Sequence, residues 1–172
     1  MLRTIVVATT TAAAVCALAA CGPATDSKIT TAERSPNSAP ACGVDLASPV
    51  VRAALAELPR EPRTQAGWAT DPATFQGNFD PCATLSAAIV TIEGATGSSP
   101  EQALLFHRGE YVGTATPEAH GFTTLAAATT DDTVVLDYKT PGSCNACPDA
   151  THTQVGFHWD GQRVVVKGTP PA

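Results

Sequence analysis

The sequence predicts an α+β domain in which one N-terminal helix packs on a mostly antiparallel β-meander of about six or seven strands. One segment near residue 50 has apolar residues at helical spacing. Beyond Leu85 the chain changes to short runs typical of strands. Turn signals such as Asp160-Gly161 separate several of these runs. A single helix followed by successive strands favours the α+β class.

The predicted helix begins after Ser48, which is a good N-cap residue, with Pro49 in the first helical position. Its apolar residues recur at helical spacing and are Val51, Ala54, Leu55 and Leu58. Pro59 ends the helix because proline cannot continue the hydrogen-bond ladder.

A long loop follows at 60–81 and carries the aromatic residues Trp68, Phe75 and Phe79. Loops of this length are usually functional or packed by their own side chains. We expect the three aromatic rings to close the edge of the core. The alternative is a ligand pocket that they line between the helix, the loop and the sheet.

Seven strands are predicted after the loop, at 85–93, 103–107, 110–114, 123–129, 133–139, 153–159 and 162–167. In the last hairpin the apolar Val155 and Phe157 alternate with the polar Gln154 and His158. One face of that hairpin is therefore expected to be buried and the other to face water.

Residues 1–20 have the pattern of a secretory signal peptide. Arg3 is followed by an apolar stretch at 4–17, which is too short to span a bilayer. The stretch ends in Leu-Ala-Ala-Cys at 18–21, which matches the lipobox of bacterial lipoproteins. We therefore expect Cys21 to be lipidated, the alternative being ordinary cleavage that leaves it a plain cysteine.

The segment 21–41 is rich in Ser, Thr and Pro and is expected to be a flexible tether. One globular domain is then predicted at 42–172. Two or more acyl chains, at about 0.8 kcal/mol for each buried methylene, hold a protein stably at a membrane. The chain is therefore expected on the extracytoplasmic side of the cytoplasmic membrane, with the lipid as its membrane contact.

The charge pattern excludes several classes of partner. The chain has a net charge of −6, and removing the signal with its single Arg3 leaves nine basic against sixteen acidic residues. The remaining Lys and Arg residues are scattered along the sequence. An acidic domain of this kind is not expected to bind nucleic acid or to carry a polybasic lipid-binding patch.

Four cysteines remain once the signal is removed and Cys21 is acylated: Cys42, Cys82, Cys144 and Cys147. An exported compartment is oxidising, so an even number of cysteines predicts disulfides, with three pairings open. The simplest joins Cys42 to Cys82 and Cys144 to Cys147. Closing a loop of about 40 residues would contribute about 3–4 kcal/mol.

The Cys-x-x-Cys pair at 144–147 also invites a redox interpretation. Such activity needs a thiol of low pKa at a helix N-terminus or beside a cation. This pair lies in a Pro- and Gly-containing stretch between two predicted strands, which favours a structural staple. Zinc would need a second cysteine pair or several histidines, and only His152 is near in sequence, so no metal is expected.

No catalytic motif is recognisable. The chain has no Gly-rich phosphate loop, no H-E-x-x-H and no G-x-S-x-G. Its dispersed histidines are expected to be surface or satisfied residues, and are His107, His120, His152 and His158. We expect no enzyme and no cofactor, but a binding or structural role towards an unknown envelope protein or ligand. The alternatives are a lipid or small-ligand carrier or sensor, and a thiol redox protein.

Three segments carry a family resemblance: Asn78–Ser86, Leu104–Ala115 and Phe157–Gly161. In these blocks the chain resembles the actinobacterial, largely mycobacterial, LppP/LprE lipoprotein family. The resemblance implies an envelope lipoprotein in which Cys42 and Cys82 are paired. The family has no settled biochemical activity, so the resemblance indicates a location and a fold without a mechanism.

Overall fold

The computed structural model describes residues 41–171, so the predicted signal, Cys21 and the tether up to residue 40 lie outside the described residues. The helix is α1 (Pro49–Glu57), and a short 3₁₀ turn spans Pro72–Thr74. The strands are β1 (Gln76–Gly77), β2 (Ser86–Thr91), β3 (Glu101–His107), β4 (Glu110–Thr114), β5 (Thr123–Leu125), β6 (Thr133–Thr140), β7 (Thr151–Trp159) and β8 (Val164–Lys167).

The prediction of an α+β domain built on one continuous meander is wrong. The fold is mostly β, with two separate antiparallel four-stranded sheets and only one nine-residue α-helix in the described part of the chain. The strand order is β1-β2-β3-β4 in the first sheet and β5-β6-β7-β8 in the second. The run of hairpins breaks between β4 and β5, and the second half forms its own layer.

The main core lies between the two sheets. Leu85, Ile89 and Leu105 from the first sheet pack with Leu136 and Phe157 from the second. All of these side chains are buried. Because side chains alternate along a strand, the neighbouring residues of β2 and β3 point away from this interface.

A second core covers the opposite face of the first sheet. Val90 and Phe106 point towards the helix, where they pack with Val51 and Leu55 of α1 and with Phe79 of the loop. The first sheet is therefore covered on both faces. This double burial explains why β2 has an unbroken apolar run at 87–90 instead of alternating.

The start of the helix agrees with the sequence prediction. The Ser48 hydroxyl accepts a hydrogen bond from the Val50 amide at 3.3 Å, and Pro49 opens the first turn. Buried residues recur on one face at Val51, Ala54 and Leu55. No helix of the described residues is long and apolar enough to cross a membrane.

Each of the seven predicted strands is present; the strand at 110–114 has the predicted bounds and the others have shifted ends. The strand predicted at 123–129 stops at Leu125, and the two-residue strand β1 was missed. Asp160-Gly161 lies in a four-residue loop, since Trp159 pairs with Val164. By contrast Arg108-Gly109 is a two-residue turn with both φ angles positive, as a type I′ turn requires.

Candidate functional site

A concave surface of about 790 Å³ lies at one end of the two sheets. It lies where the β3–β4 turn, the loop before β6 and the β7–β8 loop meet. Its principal side chains are His107, Arg108, Asp131, Asp132, His158, Trp159 and Asp160. We call it the end cleft.

An aromatic pair forms one wall of the end cleft. The His107 ring stacks on the Trp159 indole with centroids 3.9 Å apart and planes inclined by 12°. His107 is the last residue of β3 and Trp159 the last of β7, so the stack joins the two sheets. The Thr84 carbonyl lies 2.5 Å from Nδ1 of His107 and can only accept, so Nδ1 donates.

The second histidine of the cleft has an equivalent tautomer. The Thr133 hydroxyl donates to Oδ1 of Asp132 at 2.9 Å, so it accepts from Nδ1 of His158, also at 2.9 Å. Asp132 Oδ2 lies 3.8 Å from the same ring nitrogen. Neither Nε2 atom has a hydrogen-bond partner among the described residues, so each can bond to water or to a ligand.

Asp131 ties the loop before β6 to the first sheet. Its Oδ2 accepts from the Thr84 hydroxyl at 2.7 Å, and its backbone carbonyl accepts from the Leu85 amide at 2.8 Å. Thr84 therefore contacts both Asp131 and His107 through different atoms. These bonds hold the cleft together without a ligand.

The carboxylates make the cleft negative. Hydrogen bonds from the hydroxyls of Thr133 and Thr130 lower the pKa of Asp132 below its ordinary value. The backbone amides of Arg163 and Gln162 likewise lower the pKa of Asp160. Both groups therefore hold their charge at neutral pH.

The arrangement is suited to binding a ligand by hydrogen bonds and charge. The cleft has three carboxylates against one guanidinium, so acceptors outnumber donors. Within residues 41–171, no three His, Cys, Asp or Glu side chains converge as a metal site requires.

The three aromatic residues of the predicted pocket are not brought together in one site. Phe75 and Phe79 are buried in the core beneath the helix, where Phe79 meets Phe106 edge-on at 4.7 Å. Only Trp68 reaches a groove, which lies between α1 and the following loop. Phe75 and Phe79 belong to this core, and the partly buried Trp68 also packs against it.

The disulfide between Cys42 and Cys82 lies next to the end cleft in the chain, since Cys82 is two residues before the lining residue Thr84. Beside it, the Arg108 amide donates to the Ala83 carbonyl at 3.0 Å. A Cβ atom on Gly109 would lie 3.2 Å from Pro81, so this turn is pressed against the disulfide segment. The segment therefore positions the turn that follows His107.

The second disulfide joins Cys144 to Cys147 in the loop between β6 and β7. Lys139 donates to the Asn145 carbonyl inside the ring at 2.7 Å, and Asp149 accepts from the Ser143 amide at 2.9 Å. Both contacts order the loop. The ring lies at the opposite end of β6 from the end cleft.

Sequence reasoning missed the end cleft because its members are far apart in the chain. One signal pointed to it. Phe-His pairs recur at 106–107 and 157–158, each at the end of a strand in a hairpin. Two short matches do not establish a repeat, yet the fold brings both histidines to the same cleft.

Comparison with known proteins gives a consistent result. The family model described as LppP/LprE lipoprotein matches residues 77–162, a segment that includes the principal residues of the end cleft. A Mycobacterium leprae protein named as lipoprotein LprE is 39% identical over 124 residues, which cover 72% of this chain and 57% of the relative. The equally named proteins of Mycobacterium tuberculosis and Mycobacterium bovis are 34% identical over 128 residues, covering 74% of this chain and 59% of each relative.

The aligned region therefore spans less than two thirds of the length of these curated relatives. No solved structure matches the chain.

Proposed function

Because the chain belongs to the LppP/LprE lipoprotein family, we propose that it is a membrane-anchored envelope lipoprotein that binds a small hydrophilic ligand in the end cleft without catalysis. The observation that carries this proposal is the stack of His107 on Trp159 above a negatively charged rim. A preformed cleft of about 790 Å³ falls within the usual size of ligand sites.

The ligand is rich in hydrogen-bond donors and is neutral or positively charged. Ionised Asp132 and Asp160 accept from hydroxyl or ammonium groups and repel anions. The two Nε2 atoms add further acceptors beside the aromatic wall. A hydroxylated ring carrying an ammonium group would satisfy each of these features.

The test uses tryptophan fluorescence, since the chain has two tryptophans and only Trp159 lines the end cleft. In a Trp68→Phe variant of the full chain, Trp159 is the sole reporter. Glucosamine, glucose and glucuronate have similar shapes but differ in charge. We expect saturable binding that is strongest for glucosamine, weaker for glucose and weakest for glucuronate.

Paired variants separate the cleft from the general surface charge. Asp132→Asn with Asp160→Asn should weaken glucosamine binding at least tenfold. Asp149→Asn is the control, because Asp149 also caps a loop but lies at the far end of β6. The proposal would be contradicted if none of the three sugars bound. It would also be contradicted if Asp149→Asn weakened glucosamine binding as much as the double variant does.

The anchor is the second part of the proposal. Cys21 bears the lipid, and the tether holds the domain on the extracytoplasmic side of the cytoplasmic membrane. The family name and the lipobox at 18–21 support this.

Metabolic labelling with a palmitate analogue should mark the chain, and the label should disappear in Cys21→Ala. Cys16→Ala is the matched control and should label normally, because Cys16 leaves with the signal. Unchanged labelling of Cys21→Ala would refute the anchor.

A further inference from the structure

A second concave surface lies on the helix side of the molecule, away from the end cleft. It is a groove of about 310 Å³ between α1 and the loop that follows it. Its main lining residues are Arg52, Leu55, Ala56, Leu58, Arg60 and Trp68. We call it the helix groove.

The apolar floor of the helix groove is held in place without a ligand. The Trp68 indole donates its N–H to the Pro59 carbonyl at 2.8 Å. The backbone of Trp68 forms a bridge with Ile92, and the Ala69 amide donates to the Thr91 carbonyl at 2.8 Å. Since its only polar atom is already bonded, the indole offers the groove an apolar face.

Two arginines flank this apolar floor. Arg52 donates from Nη1 to the Ala47 carbonyl at 2.6 Å, and Arg60 donates from Nη1 to the Gln65 carbonyl at 2.9 Å. A guanidinium has five N–H donors, so each side chain is oriented by one bond and retains four. Both arginines are exposed. The lining itself contains no carboxylate, and the Glu93 carboxylate lies beside the lining residue Gly67.

The sequence places these arginines among scattered charges in an acidic chain of net charge −6. The fold brings the two to one groove while the aspartates cluster in the end cleft. The helix groove therefore attracts the class of ligand that the end cleft repels. Two cations are too few for a polybasic membrane patch, but two guanidinium groups are enough to bind one anionic headgroup.

We infer that the helix groove binds one anionic amphiphile. Its phosphate or carboxylate lies between Arg52 and Arg60, where forked N–H donors suit a planar or tetrahedral anion. The first methylenes of its chain lie on Trp68 and Leu58. The groove volume, near the lower limit for ligand sites, accommodates the headgroup and the start of the chain. A free phosphate would leave the apolar floor unused.

Trp68 provides the test, because a Trp159→Phe variant leaves it as the sole tryptophan. The full chain also carries Cys21→Ser, so that no acyl group of its own competes. Monomeric dodecyl phosphate should shift the Trp68 emission saturably. Inorganic phosphate and dodecyl maltoside should bind at least tenfold more weakly, because phosphate lacks the alkyl chain and dodecyl maltoside lacks the anionic group.

Charge-matched double variants complete the design. Arg52→Gln with Arg60→Gln should weaken dodecyl phosphate binding at least tenfold. Arg163→Gln with Lys167→Gln removes the same charge from the β7–β8 hairpin and should have no such effect. Thermal unfolding of each variant verifies that the domain remains folded.

Four outcomes would overturn the inference. They are no saturable shift, equal binding of inorganic phosphate or of dodecyl maltoside, equal weakening by the two double variants, and binding to phosphatidylglycerol vesicles without binding of the monomer. This test does not report on the end cleft, because the chain used lacks Trp159 and its fluorescence comes from Trp68 alone.

Discussion

The imidazole of His107 and the indole of Trp159 lie face to face, with ring centroids 3.9 Å apart. They come from different sheets and are 52 positions apart in the chain. The pair therefore closes the sandwich at one end and forms a wall of the end cleft. Stability and binding should both depend on it.

Removing either ring should destabilise the domain. We expect Trp159→Ala to lower the free energy of unfolding by about 2–3 kcal/mol and His107→Ala by about 1 kcal/mol. The double variant should reveal a coupling of about 1 kcal/mol in a urea double-mutant cycle. Gln154→Ala, on the exposed face of β7, should change stability by less than about 0.5 kcal/mol. A coupling of zero would mean that the stack contributes nothing.

The two disulfides should differ in their effects on stability. Replacing Cys42 and Cys82 by serine opens a loop with a sequence separation of 40 and should cost about 4 kcal/mol in the chain-entropy model. Replacing Cys144 and Cys147 opens a separation of only 3 and should cost about 2 kcal/mol. Chemical denaturation of the two double variants measures both values. The reverse order would show that native-state contacts outweigh loop entropy.

Glu61 should make the domain more stable at neutral than at acid pH. Burial opposes its charge, but hydrogen bonds from Thr64 and Arg63 outweigh this and lower the pKa of Glu61 below the ordinary 4.5. This contribution is fully present above pH 4.5 and is lost as the pH falls through the folded-state pKa. Glu61→Gln should therefore cost about 1–2 kcal/mol at pH 7 and less in acid, as measured by urea unfolding. Glu93→Gln, at an exposed site, is the control, and a cost that does not change with pH would contradict this.

Glu101 should have the opposite pH dependence. Burial raises its pKa above 4.5, although the Thr123 amide donates to its Oε2 at 2.7 Å. Its contribution to stability therefore falls as the pH rises from 4.5 through the folded-state pKa. Glu101→Gln should become more favourable relative to the native chain over that interval. Urea unfolding of both chains at several pH values measures this difference. A difference in unfolding free energy that does not change with pH would contradict the prediction.

Gly77 should tolerate no side chain. Its φ is +123°, and a Cβ atom would lie 2.3 Å from the Ala87 carbonyl oxygen of the adjacent strand. Gly77→Ala is expected to cost about 2–3 kcal/mol through backbone strain and overpacking. Gly97→Ala is the control, because nothing lies within 4 Å of that position. Equal thermal unfolding midpoints for the two variants would refute the expectation.

The strands could be predicted from the sequence, but their division into two sheets could not. Apolar runs, alternation and turn residues are local signals, and together they located every strand except β1. Whether β4 pairs onward with β5 depends on contacts between residues distant in the chain. The one available hint was β2, whose continuous apolar run is the pattern of a strand covered on both faces.

The candidate sites show the same division. Sequence motifs identified the cysteines that pair, and they identified Trp68 as one of three pocket candidates. They could not bring His107 to Trp159 or Arg52 to Arg60. Each of these pairs joins different elements, and the packing of those elements decides the distance.

The sequence thus specifies the capped helix, the hairpins, the lipobox and the family, because each depends on residues close together in the chain. The tertiary structure decides the two-layer architecture, the acidic end cleft and the basic helix groove. The end cleft forms because the second half of the chain packs on one face of the first sheet, and the helix groove forms because α1 and the loop after it pack on the other face. That packing brings the rings of His107 and Trp159 into contact and places charged residues around each concave surface.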